Sequence, residues 1–171
     1  WMAIDPTGAL WSGHTSEYRL DRSPGLSQPA LRRVSIRPER ERLPITGGVR
    51  DALDGFIRDR FAAVEGFEET YPMPDLKPAI VRVLPSEVGT IWVRLHAPSE
   101  RRTDEEGEPT WVEIESRFDI FTPEGQHVGR VTGPAAMHLS EIRGDTVLAQ
   151  RFGSFGVSYV ERFIIDWSAP N

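Results

Sequence analysis

The phrase that decides the fold is "LPSEVGTIWV", Leu84–Val93, because an earlier stretch, "DPTGALW" at Asp5–Trp11, has the same order of signals. Each phrase runs from a proline to a glycine, an apolar residue and a tryptophan. Proline fixes φ for a bend and glycine adopts positive φ at no steric cost, so each phrase predicts a tight turn that leads into a strand. A turn-and-strand phrase that occurs twice predicts two copies of one structural unit.

The first copy reads as four short strands joined by short links. Apolar residues recur at every second or third position, which is the pattern of strands. Short links between successive strands favour an antiparallel meander. The strands are predicted at 1–5, which we expect to be buried, and at 9–15, 18–22 and 31–36.

The second and third copies follow a proline-rich segment, 71–78, that cannot continue a helix. In the second copy a polar loop is predicted at 97–109, and in the third copy Val147 takes the place of the two tryptophans. The third copy has three strands instead of four. The predicted strands are 79–84, 90–96, 110–121 and 126–132 in the second copy, and 137–142, 146–152 and 157–167 in the third.

A helix is predicted between the first two copies, at about 47–65. Its apolar residues are spaced by three and four positions, which places one stripe along a helix. Thr46 is the expected N-cap, and Gly66 stands where a C-terminal glycine is expected. The stripe consists of Val49, Leu53, Phe56, Ile57, Phe61 and Val64.

Four antiparallel strands in roughly 40–50 residues are typical of a β-propeller blade. The predicted fold class is therefore mainly β, with antiparallel four-stranded blades of a partial β-propeller and one inserted α-helix. We interpret Trp11 and Trp92 as packing residues between blades. The predicted organisation is a blade at 1–37, a helical insertion at 38–78, a blade at 79–132 and an incomplete last blade at 137–167. A complete small domain, such as a meander sandwich, is the alternative.

Four phrases resemble the last blades of bacterial six-bladed β-propeller proteins related to NHL-repeat and TolB-like propellers. They are "YPMPDLKPAI", "GTIWVRLHAP", "FDIFTPEGQHVGRV" and "GDTVLAQRFGSFGVSYVERFII". The resemblance implies further blades upstream of Trp1, since six blades need roughly 250–300 residues at ~45 each. It also implies an extracytoplasmic bacterial setting, periplasmic or at the cell surface. Propellers of this kind include non-enzymatic binding proteins and metal-dependent lactonases or lyases with their site in the central channel, so both functions stay open. A structural cap within a larger cell-surface protein is the third possibility.

Composition excludes several classes of protein. The net charge of −6 argues against a general nucleic-acid binder. The chain has no cysteine, hence no disulfide or thiolate metal site, and no apolar run that approaches the ~20 residues of a membrane span. It also lacks the zinc-protease, phosphate-loop, dinucleotide and nucleophile-elbow motifs. No catalytic residue, metal site or cofactor is predicted.

The candidate site follows from the meander topology. The tight turns fall at one end of the sheets, whereas the loop 97–109 and the insertion 37–78 fall at the other. Long loops on a rigid scaffold carry most binding residues, so we expect a protein, peptide or carbohydrate ligand at this second end. The alternative is that the helix merely shields the end of a sheet. The candidate binding residues are His14, Glu17, Arg94, His96, Arg101 and Arg102.

Other polar residues have simpler interpretations. The acidic residues Asp104, Glu105, Glu106 and Glu108 either attract calcium or form a solvated loop. Asp119 is expected to bond to a neighbouring strand edge or turn. His127 and His138 are predicted to be surface residues.

Overall fold

The structure is a computed structural model and describes residues 2–14, 18–24, 32–35, 42–66, 73–103, 107, 109–152 and 157–167. The side chains of 14, 32–35, 109 and 152 are not part of the description. Within these ranges the chain forms thirteen strands and one helix, α1, at Gly47–Phe61. The strands are β1 Met2–Ile4, β2 Leu10–His14, β3 Arg19–Ser23, β4 Arg32–Ser35, β5 Arg82–Pro85, β6 Ile91–Leu95, β7 Ser99–Thr103, β8 Pro109–Glu113, β9 Glu115–Phe121, β10 His127–Pro134, β11 His138–Arg143, β12 Thr146–Phe152 and β13 Ser158–Ile164.

All strand pairs are antiparallel and form four sheets. Sheet 1 has the order β1-β2-β3-β4, sheet 2 the order β5-β6-β9-β10, and sheet 3 the order β11-β12-β13. Along the chain, the hairpin β7–β8 is inserted between β6 and β9, and it forms a two-stranded sheet of its own. The prediction of a mainly β chain, with blade-like four-stranded meanders and one inserted helix, is confirmed. No closed ring is formed within the described ranges.

Two predictions for the second copy are wrong. The segment 97–109 is not simply a polar loop, because it contains β7 and the first residue of β8. The segment 110–121 is not one strand, because the chain leaves β8 at Glu113 and enters β9 at Glu115. The N–H of Ile114 donates to the carbonyl of Pro98 at 3.0 Å, so the break closes the base of the hairpin.

The repeated phrase builds the same five-residue loop. In residues 5–9, 86–90 and 122–126, the first N–H donates to the fifth carbonyl and the fourth N–H donates back to the first carbonyl, at 2.8–3.1 Å. The fourth residue is Gly8, Gly89 or Gly125, with φ of 83°, 85° and 83°. Only glycine adopts this conformation without a steric cost, which explains why glycine recurs at a fixed place in the phrase.

Two apolar clusters join the three large sheets face to face. Trp11 and Leu20 of sheet 1 pack against Ile91, Val93 and Phe121 of sheet 2. On the opposite face of sheet 2, Trp92, Phe118 and Ile120 pack against Leu139, Ile142 and Val147 of sheet 3. Both tryptophans are almost completely buried, which confirms their interpretation as packing residues. Sheet 2 is therefore the middle layer of a three-sheet stack.

Two predictions about side chains in sheets 1 and 3 are wrong. β1 is not a buried strand, since Met2 and Ile4 are 68% and 70% exposed. Val147 does not take the place of the tryptophans. It points back towards sheet 2, whereas Trp11 and Trp92 each point forward to the next sheet. The cause is the turn: Arg143 pairs with Thr146 across two residues, whereas five-residue loops precede the tryptophan strands.

The helix begins where the sequence predicts but ends earlier. Thr46 has the extended backbone of an N-cap, without a side-chain capping bond, and α1 ends at Phe61 instead of 65. No residue of α1 is buried, and Phe56 is 65% exposed. In the described part of the chain no helix has both the length and the apolar character needed to cross a bilayer.

Candidate binding surface at the insertion end

Both inserted segments meet at the end of sheet 2 where β6 finishes. We call this surface the insertion end and define it as α1, residues 73–78, the β7–β8 hairpin, and His96 and Ala97. The indole of Trp111 on β8 lies directly against the backbone of Gly48 on α1. A Cβ added to Gly48 would lie 2.7 Å from Cζ2 of Trp111, so only glycine permits this contact.

Lys77 links the proline-rich segment to the hairpin. Its Nζ donates to Oγ of Ser99 at 2.9 Å and to the carbonyl of Ala97 at 3.4 Å. Its own N–H donates to the carbonyl of Leu43, and the N–H of Ile45 donates to the carbonyl of Asp75, both at 2.8 Å. The segment before α1 is thus paired with the segment after it, and Lys77 attaches both to the hairpin.

Glu113 holds the base of the hairpin to β6. Its Oε1 accepts bonds from Nδ1 of His96 at 2.7 Å and from the N–H of Ala97 at 3.2 Å, and its Oε2 accepts one from Arg94 at 3.3 Å. Burial raises the pKa of Glu113, but the bonds from His96 and Ala97 and the charge of Arg94 outweigh burial and lower it. Glu113 is therefore a carboxylate at neutral pH.

This carboxylate fixes the orientation of the imidazole. An ionised carboxylate only accepts hydrogen bonds, so Nδ1 of His96 carries a proton, and in the neutral ring Nε2 presents a lone pair. The side chain of His96 is 26% exposed. A ring held in this way suits a hydrogen-bond acceptor for a ligand.

The outer part of the hairpin is charged and exposed. Arg102 is bound to its neighbour Glu100, with Nε to Oε1 at 2.6 Å. Arg101 is exposed, and no hydrogen bond or ion pair joins it to any other described residue. Its register partner across the hairpin is Trp111, so both side chains lie on the same face of the hairpin.

The structure brings together some of the predicted site residues. Arg94 and His96 share Glu113, and Arg101 and Arg102 lie on the hairpin that Glu113 anchors. For His14 the structure describes only the backbone at the end of β2, and Glu17 lies outside the described residues. The acidic positions 104–106 and 108 also lie outside them.

Sequence reasoning missed Lys77, Trp111 and Glu113. The spacing of Trp111 and Glu113 by two positions predicts that both lie on one face of a strand. Because the predicted strand ran without a break from 110 to 121, both residues were placed in the body of sheet 2. Two strands flanking a polar connection of about five residues are the available signal for a hairpin. Reading 99–113 as a hairpin would have placed Glu113 opposite Ser99 and next to His96.

A second polar cluster lies between sheets 1 and 2. Asp119 is fully buried and accepts a bond from the hydroxyl of Tyr18 at 2.6 Å and from Nε of Arg130 at 3.0 Å. Arg130 lies on the adjacent strand β10, which confirms the prediction of a bond to a neighbouring strand. Tyr18, which comes from another sheet, was not predicted. His127 and His138 are exposed, as predicted.

Across the described residues, no three histidine, aspartate or glutamate side chains are grouped closely enough to hold a metal ion. A scan against protein-family models, a search of curated proteins and a search of solved structures each gave no match for this chain.

Proposed function

We propose that this chain is a non-enzymatic binding module on part of a six-bladed β-propeller, and that its ligand binds at the insertion end. The convergence of α1, the proline-rich segment and the hairpin on one end of sheet 2 carries the proposal. Three separate contacts hold these segments: Trp111 on Gly48, Lys77 on Ser99, and Glu113 on His96. A fixed arrangement lowers the entropic cost of ordering a surface upon binding.

The ligand we propose is a protein or peptide that presents a carboxylate. Arg101 supports this class because its exposed guanidinium has five donors in a fork that matches a carboxylate. The lone pair on Nε2 of His96 supplies an acceptor for a donor of the same ligand. Arg102 is a weaker candidate, since Glu100 already occupies it.

A cross-linking experiment tests the location of the site. A photoreactive amino acid replaces Thr103, which is exposed on the same face of β7 as Arg101, in one sample and Glu124, which is exposed on the 122–126 loop, in another. In extract of the source cells, position 103 should give a defined protein adduct and position 124 should not. Equal adducts at both positions, or none at 103, would contradict the proposal.

Binding measurements with the captured partner then test the chemistry. The variant Arg101→Ala should weaken binding by about 10- to 100-fold, as expected when one charged hydrogen bond worth ~1.5–3 kcal/mol is lost. Arg102→Ala is the matched control and should change affinity by less than about threefold, the scale of an exposed ion pair. Equal losses would show that net charge, not Arg101, determines binding.

We further propose that additional blades, encoded before Trp1, pack on the stack, and that the whole protein is extracytoplasmic. The exposed aliphatic residues on the outer faces support this proposal: Met2 and Ile4 on sheet 1, and Val160 and Ile164 on sheet 3. The reading frame that precedes Trp1 tests it. Further turn-and-tryptophan units and an export signal are expected there, and a frame without such units would contradict the propeller.

A further inference from the structure

Two arginines lie directly opposite each other on neighbouring strands of sheet 2. Arg82 of β5 is the register partner of Arg94 of β6. Directly opposite residues of an antiparallel pair share a face of the sheet, and two like charges in this position are destabilising. Leu84 and Trp92, the register pair two residues away, pack against sheet 3. Because residues two apart on a strand share a face, both arginines lie on the face that sheet 2 turns towards sheet 3.

The charge of this arginine pair is only partly balanced. Nη2 of Arg94 donates to Oε2 of Glu113 at 3.3 Å, whereas its Nε is buried and has no acceptor among the described residues. Arg82 is exposed, and no hydrogen bond or ion pair joins it to any other described residue. A buried donor without an acceptor is costly, and the repulsion between the two guanidinium groups adds to that cost. An anionic group that binds at the pair would offset the repulsion.

The arginine pair adjoins the insertion end. Glu113, which bonds to Arg94, is the register partner of Ser99 at the base of the hairpin, and Arg101 lies two residues after Ser99 on β7. Arg101 therefore shares the face of the hairpin on which Glu113 lies, about 7 Å further along the strand. We call Arg82, Arg94 and Arg101 the basic strip, which starts on β5 and continues onto the hairpin.

We propose that Arg82 and Arg94 bind a second carboxylate of the ligand whose first carboxylate meets Arg101, so that the partner presents an extended acidic peptide segment. This inference rests on the proposed function, in which a protein or peptide binds at the insertion end. Arginine suits the site because its planar fork matches a carboxylate. An extended segment suits it because every second side chain lies on one side, so alternating acidic residues meet successive arginines of the strip.

The chain's own acidic segment is a poorer source of this carboxylate. The acidic positions within 104–108 lie between Thr103 and Pro109, which pair at the tip of the hairpin. Arg94 bonds to the base of the hairpin, the end at which Ser99 lies. Thr103 is four residues from Ser99, which corresponds to ~14 Å along the strand. The hairpin therefore separates the two ends of the acidic segment from the arginine pair, whereas a ligand that lies along the hairpin reaches the whole strip.

The test uses a fluorescent peptide of about nine residues with glutamate and threonine at alternate positions. A peptide with glutamine in place of every glutamate is the control ligand, and a third peptide has phosphoserine at the same positions. Fluorescence anisotropy at low salt should show saturable binding of the glutamate peptide and at least about tenfold weaker binding of the glutamine peptide. No binding of the glutamate peptide, equal binding of both, or binding of the phosphoserine peptide alone would overturn the proposal.

Protein variants locate the second carboxylate. Arg82→Gln should weaken binding of the glutamate peptide at least about tenfold, the factor that follows from the loss of one charged hydrogen bond. Arg162→Gln removes the same charge from an exposed position on β13 and should change binding by less than about twofold. Equal losses would show that net charge, and not the strip, determines binding, and would contradict the proposal. Circular dichroism verifies the fold of each variant.

Arg101→Ala separates a failure of this inference from a failure of the proposed function. If Arg101→Ala weakens binding and Arg82→Gln does not, the insertion end binds a single carboxylate, and only the inference is wrong. If Arg82→Gln weakens binding and Arg101→Ala does not, the anion site at the arginine pair stands, and the role proposed for Arg101 is wrong. If the peptide binds only after the acidic positions within 104–108 are neutralised, the chain's own segment is the occupant, which overturns the inference.

The repulsion between the arginines gives a measurement that needs no peptide. Arg82→Glu places an opposite charge across from Arg94, so it should raise the midpoint of urea unfolding and also weaken peptide binding at least about tenfold. Arg162→Glu is the matched control, because its register partner is Leu148, and it should leave the midpoint unchanged. A lower midpoint for Arg82→Glu would show that the pair is not repulsive and would remove the argument for an anion site.

Discussion

The two interfaces of the three-sheet stack are built differently. Between sheets 1 and 2, apolar packing is combined with a charged bond, because the buried Asp119 of sheet 2 accepts the hydroxyl of Tyr18, which lies next to β3. Between sheets 2 and 3 the buried contact is apolar except for the bond from the N–H of Met137 to Oγ of Ser116 at 3.2 Å. At its exposed edge the N–H of Glu87 donates to the carbonyl of Ile142 at 3.4 Å, and Glu87 pairs with Arg143 at 3.4 Å.

The tryptophans show the same difference. Nε1 of Trp11 donates to the carboxylate of Asp5 at 3.1 Å, and Arg22 reaches that carboxylate at 2.8 Å and lies over the indole ring. Among the described residues, Nε1 of Trp92 donates only to the hydroxyl of Thr90, at 3.3 Å. The bonds to Asp5 hold Trp11 within sheet 1, and the bond from Tyr18 to Asp119 fixes sheet 1 against sheet 2, whereas the contact between sheets 2 and 3 is mainly apolar. The comparison teaches that one repeated phrase sets the packing, and the residues around it decide how rigid each interface is.

Truncation of the tryptophans should have the largest effect. Trp11→Ala and Trp92→Ala should each lower the free energy of unfolding by about 3–5 kcal/mol, from lost apolar burial and the resulting cavity. Trp11→Ala should cost more, because it also removes a donor from Asp5. Urea unfolding followed by circular dichroism measures both values. A larger loss for Trp92→Ala would contradict the stated difference between the hydrogen bonds of the two tryptophans.

Removal of the buried carboxylate should come next. Asp119→Ala leaves the guanidinium of Arg130 and the hydroxyl of Tyr18 without their partner, and should cost about 3 kcal/mol, the scale for breaking a buried ion pair. Glu161→Ala is the matched control. It removes the partner of Arg151 at the partly exposed surface of sheet 3 and should cost less than about 1 kcal/mol. Similar losses in urea unfolding would show that Asp119 does not hold sheets 1 and 2 together.

The sequence predicted the parts of the fold that depend on local pattern. The five-residue loops follow from the glycine that each needs at positive φ, and the strands from their alternation. The break at Ile114 was not predictable from local alternation, since the pattern continues without interruption from Thr110 to Phe121. The bonds that hold the break, from His96 to Glu113 and from Ile114 to Pro98, join residues that meet only after folding.

The sheet that each side chain faces was harder to predict from the sequence than the strands themselves. Val147 stands three residues after a glycine, as the tryptophans do, but a two-residue turn reverses the face of its strand. Asp119 was placed next to a neighbouring strand, where Arg130 meets it, but no local pattern points to Tyr18. The candidate site was predictable in location, because topology assigns long connections to one end, and unpredictable in its anchoring residues.

The stability that the carboxylate of Asp5 contributes should decrease at acid pH. Burial raises the pKa of Asp5, but bonds from Thr7, Arg22, Trp11 and Ala9 lower it far below its ordinary value. A depressed carboxylate contributes stability above its unfolded pKa of ~3.9, and this contribution is lost as the pH falls towards the folded value. Asp5→Asn should cost about 1–3 kcal/mol at pH 7, the scale of a hydrogen bond to a charged group.

The difference between the two chains should then shrink as the pH falls below about 4, because only the unchanged chain has this carboxylate to protonate. Urea unfolding at pH 7, 5 and 3 measures the difference. Asp145→Asn, at an exposed position in the β11–β12 turn, is the control and should leave the pH dependence unchanged. A constant difference between pH 7 and pH 3 would mean that Asp5 acts through packing and not through its charge.

The smallest effect should come from the buried neutral bond between sheets 2 and 3. Ser116→Ala leaves the N–H of Met137 without its acceptor and should cost about 1 kcal/mol, the net value of a neutral hydrogen bond. Ser140→Ala is the matched control, because its hydroxyl bonds to the carbonyl of Leu148 at an exposed site within sheet 3 and should cost less than about 0.5 kcal/mol. A loss for Ser116→Ala as large as that for Asp119→Ala would remove the distinction between a charged and an apolar interface, since a single neutral bond would then fix sheet 3 as firmly as the carboxylate fixes sheet 1.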